Sequence, residues 1–346
     1  MSVPTPPPSW FASTLAALVE RRDLDGVRMC ELMHGLVGDA CDEAATAALL
    51  VALAMKGETA DELAAAAAVL REYMVPLHAG RDDHLDTCGT GGDGAGTFNI
   101  STATAFVAAA AGAPVVKHGN RAASSRSGSS ADVLAALGVT VEGDCTTARR
   151  CLERVGMAFC FAPNFHPALH RVAAVRRRLA IRTLFNWVGP LANPSRAPYQ
   201  LLGVGRLDRL DAMAAALARL GVRRAFVVCG RDGLDEVSLS GPTLVREVRN
   251  GQIVSHEWTC DDFHLSPCRP EELRVAGPDQ SAAVIRGVLQ GQDGPALRIV
   301  LANAAAGLLA AERVQTLAEG VDKARTAVMA GRAAAVLDAL IRESRA

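Results

Sequence analysis

Residues 85–120 read LDTCGTGGDGAGTFNISTATAFVAAAAGAPVVKHGN, and this stretch decides the fold. A short apolar run ending at Cys88 passes into a glycine-rich loop. An alanine-rich helical stretch follows over Ser101–Ala111, and a second apolar run covers Pro114–Lys117. Strand, helix and strand in this order predict a crossover between two parallel strands. Ligands of such sheets bind beyond the carboxyl ends of the strands, so the residues after each strand are the candidates for function.

The same alternation continues downstream and predicts an α/β fold class. Further strands are expected at four short apolar runs: Val139–Val141, Met157–Phe161, Leu201–Val204 and Ala225–Cys229, with a helix over Ser129–Leu137. This pattern indicates a larger α/β domain with a central, mainly parallel sheet flanked by helices. Three C-terminal stretches are predicted to be amphipathic helices: Ser281–Gln290, Leu297–Arg313 and Thr316–Ser344.

Upstream of this unit the sequence is of a different kind. From Trp10 to about Met74 it is rich in Ala and Leu at three- and four-residue spacing, which indicates packed helices. One helix is predicted from about Asp42 to Met55, ending at Gly57, and Thr59-Ala-Asp-Glu62 is a capping box that opens the next helix. We therefore expect a small N-terminal helical domain over residues 1–78 and the larger α/β domain over residues 79–346. Helices around 167–190 are expected to pack toward the helical domain.

The composition excludes several classes of protein. The 346 residues are 50% hydrophobic and 21% charged, and 36 basic against 37 acidic residues give a net charge of −1, so no nucleic-acid or membrane partner is expected. Nine scattered cysteines without a C-x-x-C pair indicate reduced thiols. The N-terminus, MSVPTPPPSW, lacks the features of a signal peptide, and the longest weakly polar run, Ala103–Val116, is too short to span a membrane. We expect a soluble, cytoplasmic protein.

The loop Gly89-Thr-Gly-Gly-Asp-Gly94 is a candidate phosphate site. Glycines let a ligand approach the backbone closely, and the helix that begins near Ser101 adds a partial positive charge. The letters also fit the dinucleotide fingerprint G-x-G-x-x-G. That fingerprint, however, opens its helix inside the motif and expects an acidic residue at the end of the next strand, where this sequence has Lys117. A tight turn without a ligand is the remaining alternative, although bare turns seldom need so many glycines.

A basic loop, Lys117-His-Gly-Asn-Arg-Ala-Ala-Ser-Ser-Arg126, follows the second strand. It combines three fixed positive charges and two adjacent hydroxyls with no acidic residue, which suits a multiply charged phosphate ester. A solvated surface loop is the alternative. The position between a strand and a helix favours the anion site, because such sites form at helix N-termini.

Two further stretches carry charge. Arg171–Arg182 contains five arginines and no acid, so we expect at least one to enter a cleft and bind a carboxylate or phosphate, while any single one more often faces solvent. Asp235 and Glu236 come after the strand that ends at Cys229. Such a pair is usually surface, but Mg²⁺ takes one or two protein carboxylates together with phosphate oxygens. Beside two phosphate loops, the metal interpretation is favoured.

Together these segments resemble the anthranilate phosphoribosyltransferase family over nearly the whole chain. The resemblance rests on GTGGDG, TFNIST, KHGNRAASS, FAPNFHPAL, RTLFNWVGPLANP, LLGVG and GLDEVSLSGPT, of which KHGNRAASS beside TFNIST is highly specific. It implies transfer of the phosphoribosyl group of phosphoribosyl pyrophosphate to the amine of anthranilate in tryptophan biosynthesis. It also implies Mg²⁺ as cofactor, an active site between the two domains, and a homodimer formed through the helical domain.

Carried over by position, the resemblance implies three sets of site residues. Phosphoribosyl pyrophosphate would be bound by Gly89, Gly92, Asp93, Thr97, Asn99, Ile100, Ser101, Thr102, Lys117, His118, Gly119, Asn120, Arg121, Ala122, Ala123, Ser124, Ser125 and Ser129. Anthranilate would be bound by Gly89, Asn120, His166 and Arg176, and Mg²⁺ by Ser101, Asp235 and Glu236. The catalytic residues would be Lys117, which stabilises the departing pyrophosphate, and Asn120 and Arg176, which position anthranilate. His118 and His166 are candidate bases, with a buried, merely hydrogen-bonded histidine as the alternative for each.

The sequence departs from the family pattern at four places. The stretch Ser127–Asp132 is one residue longer than usual, which leaves open whether Ser129 or Ser130 takes the family position. Ala180 stands where a glycine is common, Trp187 replaces an aliphatic residue, and Arg178 takes a position that is often acidic. These changes concern the path of anthranilate more than the phosphate site.

Two other functions remain as alternatives. A pyrimidine nucleoside phosphorylase has a related fold but no need for KHGNRAASS or for the Asp235-Glu236 pair. A non-catalytic nucleic-acid-binding relative would be expected to have a net basic chain and to have lost the metal residues.

Overall fold

The computed structural model describes residues 8–38, 40–121 and 128–346. The chain begins with four helices: α1 (Phe11–Val19), α2 (Gly26–Val37), α3 (Glu43–Lys56) and α4 (Ala60–Tyr73). The side chains of Asp25, Asp42 and Thr59 cap α2, α3 and α4 by accepting a hydrogen bond from the backbone three residues on. The predicted capping box of Thr59 and Glu62 is present, and α3 ends at Gly57 as predicted.

The larger domain alternates strands and helices before it ends in helices. Its elements are β1 (Leu85–Gly89), α5 (Ile100–Ala110), β2 (Val115–Gly119), α6 (Ser130–Ala136), α7 (Cys145–Val155), β3 (Met157–Phe161), α8 (Ala162–Phe165), α9 (His170–Leu179), α10 (Leu184–Val188), β4 (Tyr199–Gly203), α11 (Leu210–Arg219), β5 (Arg224–Gly230), β6 (Thr243–Arg249), β7 (Gln252–Trp258), α12 (Pro278–Leu289), α13 (Pro295–Ala310), α14 (Leu317–Met329) and α15 (Arg332–Arg345).

The seven strands form one sheet in the order β3-β2-β1-β4-β5-β6-β7. The first five strands of that order run parallel, while β6 and β7 are antiparallel. The predicted fold class, a helical domain followed by an α/β domain with a mainly parallel sheet, is confirmed. The carboxyl ends of β1, β2 and β5 therefore lie at one edge, as the crossover pattern requires.

Two apolar cores lie on the two faces of this sheet. One contains α5 and the C-terminal helices α12 to α15. The other joins the helical domain to α9, α10 and α11, with Leu53 and Leu63 of the bundle in the same cluster as Val172, Phe185 and Met213. The α9–α10 segment therefore fills the space between the bundle and the sheet. Among the helices that the structure describes, none is long and apolar enough to cross a membrane.

Two sequence predictions of secondary structure are wrong, and one pair of strands was not predicted. Val139 and Val141 are buried but do not form a strand, because the Val139 amide donates to the Leu134 carbonyl near the end of α6 and the amide of the exposed Thr140 donates to the Ser344 hydroxyl. The helix predicted over Thr316–Ser344 is two helices, broken where Gly331 takes a φ of +73°. The hairpin β6–β7 was not predicted, although its Asn250-Gly251 turn is a strong hairpin signal, because the exposed β7 has no apolar run.

Candidate active site

The glycine loop leaves β1 at the carboxyl edge of the sheet. Gly91, Gly92 and Gly94 have φ values of +63°, +73° and +72°, a region that other residues adopt at a cost. The backbone amides of residues 92–94 donate no hydrogen bond to any residue within the described ranges. Free amides in a turn of this kind form a concave anion site, so the loop presents unused donors of the kind that bind an anion.

Asp235 and Glu236 reach this loop from the segment after β5. The Asp235 Oδ2 accepts a hydrogen bond from the Gly91 amide at 2.8 Å, and the Glu236 Oε1 accepts one from the Ser101 amide in the first turn of α5 at 3.0 Å. A Cβ on Gly89 would lie 2.6 Å from the Asp235 Oδ2, so only glycine allows this approach. The predicted pair thus lies under the glycine loop and not on the surface.

The two carboxyl groups are held close together in a poorly solvated place. Burial and the charge of Asp93 raise the pKa of Asp235 to about 7. Burial and the charge of Asp235 raise the pKa of Glu236 well above its ordinary value. Like charges that are buried together favour either a proton or a cation between them.

The donors at this place fit Mg²⁺. They are oxygen atoms only, from Asp235, Glu236 and the Ser101 hydroxyl, and hard cations prefer such ligands. No group of three or more His, Cys, Asp or Glu residues arranged for a metal occurs in the described part of the chain. A site with two carboxylates is suited to Mg²⁺, which takes its remaining ligands from phosphate and water.

Lys117 lies beneath the glycine loop. Its side chain is buried, and its Nζ donates to the Thr87 carbonyl at 2.5 Å and to the Ser101 hydroxyl at 3.1 Å. Burial lowers the pKa of Lys117, although the negative charges of Asp86 and the Asp235-Glu236 pair oppose this shift. The ammonium group therefore joins β1 to the start of α5 beside the carboxylates.

The rest of the basic loop is only partly described. Asn120 and Arg121 are exposed, and the Arg121 guanidinium pairs with Asp132 at 3.4 Å and with Glu142 at 3.2 Å. The predicted ligands Ala122, Ala123, Ser124 and Ser125 lie outside the described residues. Beyond them, Ser129 caps α6, because its hydroxyl accepts from the Asp132 amide at 3.2 Å and the Asp132 carboxylate accepts from the Ser129 amide at 3.0 Å.

The other predicted phosphate-site residues surround the start of α5. Asn99 donates to the Gly128 carbonyl at 3.2 Å and accepts from the Ser281 hydroxyl at 2.9 Å, which ties α5 to α12. Ile100 and Thr102 are buried, and the Thr102 hydroxyl has no hydrogen-bond partner among the described residues. The remaining members lie in or beside the two loops: Gly89, Gly92, Asp93, Thr97 and Gly119.

His118 belongs to a buried polar network and does not face open space. Its Nε2 lies 2.9 Å from the Gly189 carbonyl oxygen and its Nδ1 lies 3.0 Å from the Asp86 Oδ2. Burial lowers the pKa of His118, but the Asp86 carboxylate outweighs this effect and raises it. The Asn193 Nδ2 also lies 3.2 Å from Nδ1, so both ring nitrogens are engaged within the buried network and neither is free to act as a base toward a ligand.

His166 is close to His118, but its pKa is shifted in the opposite direction. Burial and the charge of His118 lower the pKa of His166 to about 4. The ring is therefore neutral near pH 7. A group with so low a pKa is a weak general base.

Arg176 is a half-buried cation of the arginine stretch. It lies in the last turn of α9 and has its guanidinium carbon 5.2 Å from the centroid of the Phe185 ring. Its side chain makes no hydrogen bond or ion pair with any residue that the structure describes. Burial lowers its pKa, as expected for a guanidinium that lacks a counter-ion. This arginine is free to bind an anionic ligand.

The positions that depart from the family pattern have defined places. Ala180 ends α9 with a φ of +51°, and Arg178 pairs with Glu43 of the helical domain. Trp187 is buried beneath the guanidinium of Arg182, which donates hydrogen bonds to carbonyls of the glycine loop. The sequence did not single out Arg182. No local signal distinguishes Arg182 from its neighbours, because the direction of each arginine depends on how α9 and α10 pack.

Fold and site together define a class of protein, a transferase built from a helical bundle and an α/β domain. The glycosyl transferase family, helical bundle domain, matches residues 12–74, and the glycosyl transferase family, a/b domain, matches residues 81–334. Proteins of similar sequence indicate which transferase family within this class the chain resembles. An anthranilate phosphoribosyltransferase of Roseiflexus sp. is 48% identical over 330 residues, covering 95% of this chain and 96% of that protein.

Solved structures of anthranilate phosphoribosyltransferases are also similar to this chain. An anthranilate phosphoribosyltransferase from Thermus thermophilus superposes with a TM-score of 0.89 at 41% identity, covering 96% of this chain and 99% of that one. The enzyme from Saccharomyces cerevisiae in complex with PRPP and Mg superposes with a TM-score of 0.88 at 26% identity, covering 97% and 98%. The chain belongs to the anthranilate phosphoribosyltransferase family.

Proposed function

We propose that this protein transfers the phosphoribosyl group of phosphoribosyl pyrophosphate to the amine of anthranilate in tryptophan biosynthesis. The products are N-(5-phosphoribosyl)anthranilate and pyrophosphate. The observation that carries the proposal is the placement of Asp235 and Glu236 against the free amides of the glycine loop and the first turn of α5. Family membership supports the same reaction.

In this reaction the nitrogen lone pair forms a bond to the anomeric carbon of the ribose, and the carbon–oxygen bond to pyrophosphate breaks. The electron pair leaves with pyrophosphate, and the nitrogen loses one proton to water. The free amides of residues 92–94 bind the leaving oxygens as they gain negative charge. Lys117 adds positive charge below the loop without a covalent step.

Asp235, Glu236 and the Ser101 hydroxyl are proposed to hold Mg²⁺. The ion, when bound, adds positive charge to the pyrophosphate as it departs. These residues also order the loop, because Asp235 accepts from Gly91 and Glu236 accepts from Ser101. The chain therefore supplies the same groups for binding the cation and for holding the phosphate loop in place.

Arg176 is proposed to bind the carboxylate of anthranilate. Its guanidinium is half-buried and unpaired among the described residues, and its planar fork matches a carboxylate in two-point fashion. Asn120 and the Gly89 backbone would complete the contact near the amine. His166, neutral near pH 7, would form a polar wall that repels neither substrate.

The deciding experiment follows the fluorescence of anthranilate in the presence of phosphoribosyl pyrophosphate and Mg²⁺. Turnover should remove the fluorescence and release one pyrophosphate for each anthranilate consumed. Folded protein without turnover would contradict the proposal. Phosphorolysis of thymidine or uridine would favour the nucleoside phosphorylase instead, and salt-dependent DNA binding would favour the nucleic-acid-binding relative.

We propose that the helical domain covers residues 1–78 and the α/β domain residues 79–346. We also propose that two copies of the protein form a homodimer through the helical domain. A groove of about 590 Å³ runs between α1 and α3, and its lining includes Leu15, Val51 and Met55. Met55 is 67% exposed, and a second copy of this face would cover it. Sedimentation at micromolar concentration should give the mass of a dimer, and a monomer would contradict the proposal.

A cytoplasmic location is proposed on the state of the cysteines. All nine are free thiols, and five of them are buried. Reduced thiols are typical of a reducing compartment.

A further inference from the structure

Arg182 connects the segment between α9 and α10 to the glycine loop. Its Nη1 donates to the Gly92 carbonyl at 3.2 Å, and its Nη2 donates to the Thr90 carbonyl at 3.0 Å and to the Gly91 carbonyl at 2.6 Å. Three successive carbonyls of the loop therefore converge on one guanidinium. A lysine ammonium has no planar fork of this kind, so the arrangement is specific to arginine.

The direction of these carbonyls fixes the direction of the amides. Each peptide unit is planar, so a carbonyl that faces Arg182 turns the amide of the following residue away from it. The amides of residues 92 and 93, which follow Gly91 and Gly92, are among the donors without a partner in the described ranges. Arg182 thus holds the loop in the conformation that presents these amides.

The Arg182 side chain is itself held in place by stacking on Trp187. Its guanidinium carbon lies 4.6 Å from the centroid of the buried Trp187 ring, and that of Arg209 lies 5.4 Å from the same ring. Arg209 donates to the Glu58 carbonyl at 3.0 Å and pairs with the Glu58 carboxylate at 3.4 Å. Glu58 lies just before α4, so the contacts run without a gap from the helical domain to the glycine loop.

We propose that Arg182, stacked on Trp187, is a positioning residue that orients the glycine loop for the pyrophosphate group of phosphoribosyl pyrophosphate. It acts through the loop backbone, with its fork already occupied by the three carbonyls. The inference rests on the proposed function for the identity of the ligand. It adds a residue and a connection to the helical domain that the phosphate loop alone does not contain.

The test measures binding of phosphoribosyl pyrophosphate with Mg²⁺ by calorimetry, together with KM for each substrate, in wild type, Arg182→Gln and Trp187→Leu. Arg182→Gln should weaken phosphoribosyl pyrophosphate binding roughly tenfold or more, because three hydrogen bonds from a charged donor are lost. Trp187→Leu should act in the same direction by roughly threefold, since only the stacking is lost. KM for anthranilate should change less than twofold in both variants.

Two matched variants separate positioning from charge and from folding. Arg177→Gln removes an exposed arginine of the same stretch and should bind like wild type. Arg182→Lys keeps the charge and loses the fork, so it should remain impaired. Full recovery with lysine, or unchanged binding by folded Arg182→Gln, would overturn the proposal. An equal rise in both KM values would also overturn it, because it would indicate general damage.

The wild-type measurement distinguishes this proposal from the proposed function. Failure of the folded wild-type protein to bind phosphoribosyl pyrophosphate would overturn both. Tight binding by wild type that is equal in Arg182→Gln would overturn only the role of Arg182.

Discussion

Two buried glutamates show how the helical domain and the edge of the sheet differ. In the bundle, Glu62 accepts from the Leu24 and Thr59 amides and from the Lys56 Nζ, each at 2.8 Å, so its charge is neutralised within the fold. At the sheet edge, Glu236 lies beside Asp235, and burial together with that neighbour raises its pKa. Glu62 therefore has its counter-charge within the bundle, whereas Asp235 and Glu236 lie side by side at the sheet edge, where we propose that a cation balances them.

The largest effect should follow from removing the charge at the sheet edge. Asp235→Asn combined with Glu236→Gln should lower kcat/KM by about 10³-fold or more, because the cation and the developing charge of pyrophosphate lose their partners. Turnover of anthranilate at saturating Mg²⁺ measures the loss. Activity close to wild type would remove both residues from the metal site.

The same double variant should not destabilise the ligand-free protein. Asp235 has its pKa raised from 3.8 to about 7, so the folded state binds the proton more tightly than the unfolded state does. Its contribution to stability is therefore present at low pH and is lost as the pH rises from about 4 through 7. Melting temperatures at pH 8 should be equal or higher in the variant.

Glu62→Gln in the bundle should destabilise the folded protein and leave its activity nearly unchanged. It leaves the Lys56 ammonium in a buried site with one partner fewer, and breaking a buried pair costs about 3 kcal/mol or more. Urea unfolding should show the loss, while kcat of the folded fraction stays within about twofold of wild type. A loss of stability below about 1 kcal/mol would remove the contrast between the two glutamates.

The helical domain and the active site also differ in how their positively charged side chains are paired. Lys56 is paired in the bundle, while Arg176 has no partner in the described part of the chain and lies against Phe185. Arg176→Ala should raise KM for anthranilate roughly thirtyfold and leave binding of phosphoribosyl pyrophosphate within twofold, because one charge-assisted pair is lost. Steady-state kinetics with each substrate varied in turn would check this. The reverse pattern would mean that another arginine binds the carboxylate.

The smallest expected effect is a change in stability at Ala180, in the segment between the helical domain and the sheet. Ala180 has a φ of +51° at the end of α9, where a side chain costs about 1 kcal/mol relative to glycine. Ala180→Gly should stabilise the protein by about 0.5 kcal/mol, since glycine also loses more freedom on folding. Denaturant unfolding measures the gain. A clear loss of stability would show that the Ala180 methyl group contributes packing.

Most of the fold was predictable because the central strands are short segments, most of them rich in apolar residues, that alternate with helical stretches and end at turn residues. The edge strand β7 was not, since exposure removes that run, and Val139–Val141 misled because burial alone does not give valines a neighbouring strand. The carboxylate pair was predictable from its position after a strand. The contacts of Arg182 with the glycine loop were not, because the direction of a helix-flanking arginine depends on packing between distant segments.

The central claim concerns the buried carboxylate pair at the sheet edge, whose raised pKa values we expect a bound cation and pyrophosphate to lower. Calorimetry of phosphoribosyl pyrophosphate with Mg²⁺, in buffers of different ionisation enthalpy, measures the protons released on binding. At pH 6 the wild type should release more protons than the Asp235→Asn, Glu236→Gln variant, and the excess should fall as the pH rises through about 7, the pKa of Asp235. Equal proton release by the two proteins at pH 6, or an excess that does not depend on pH, would contradict the claim.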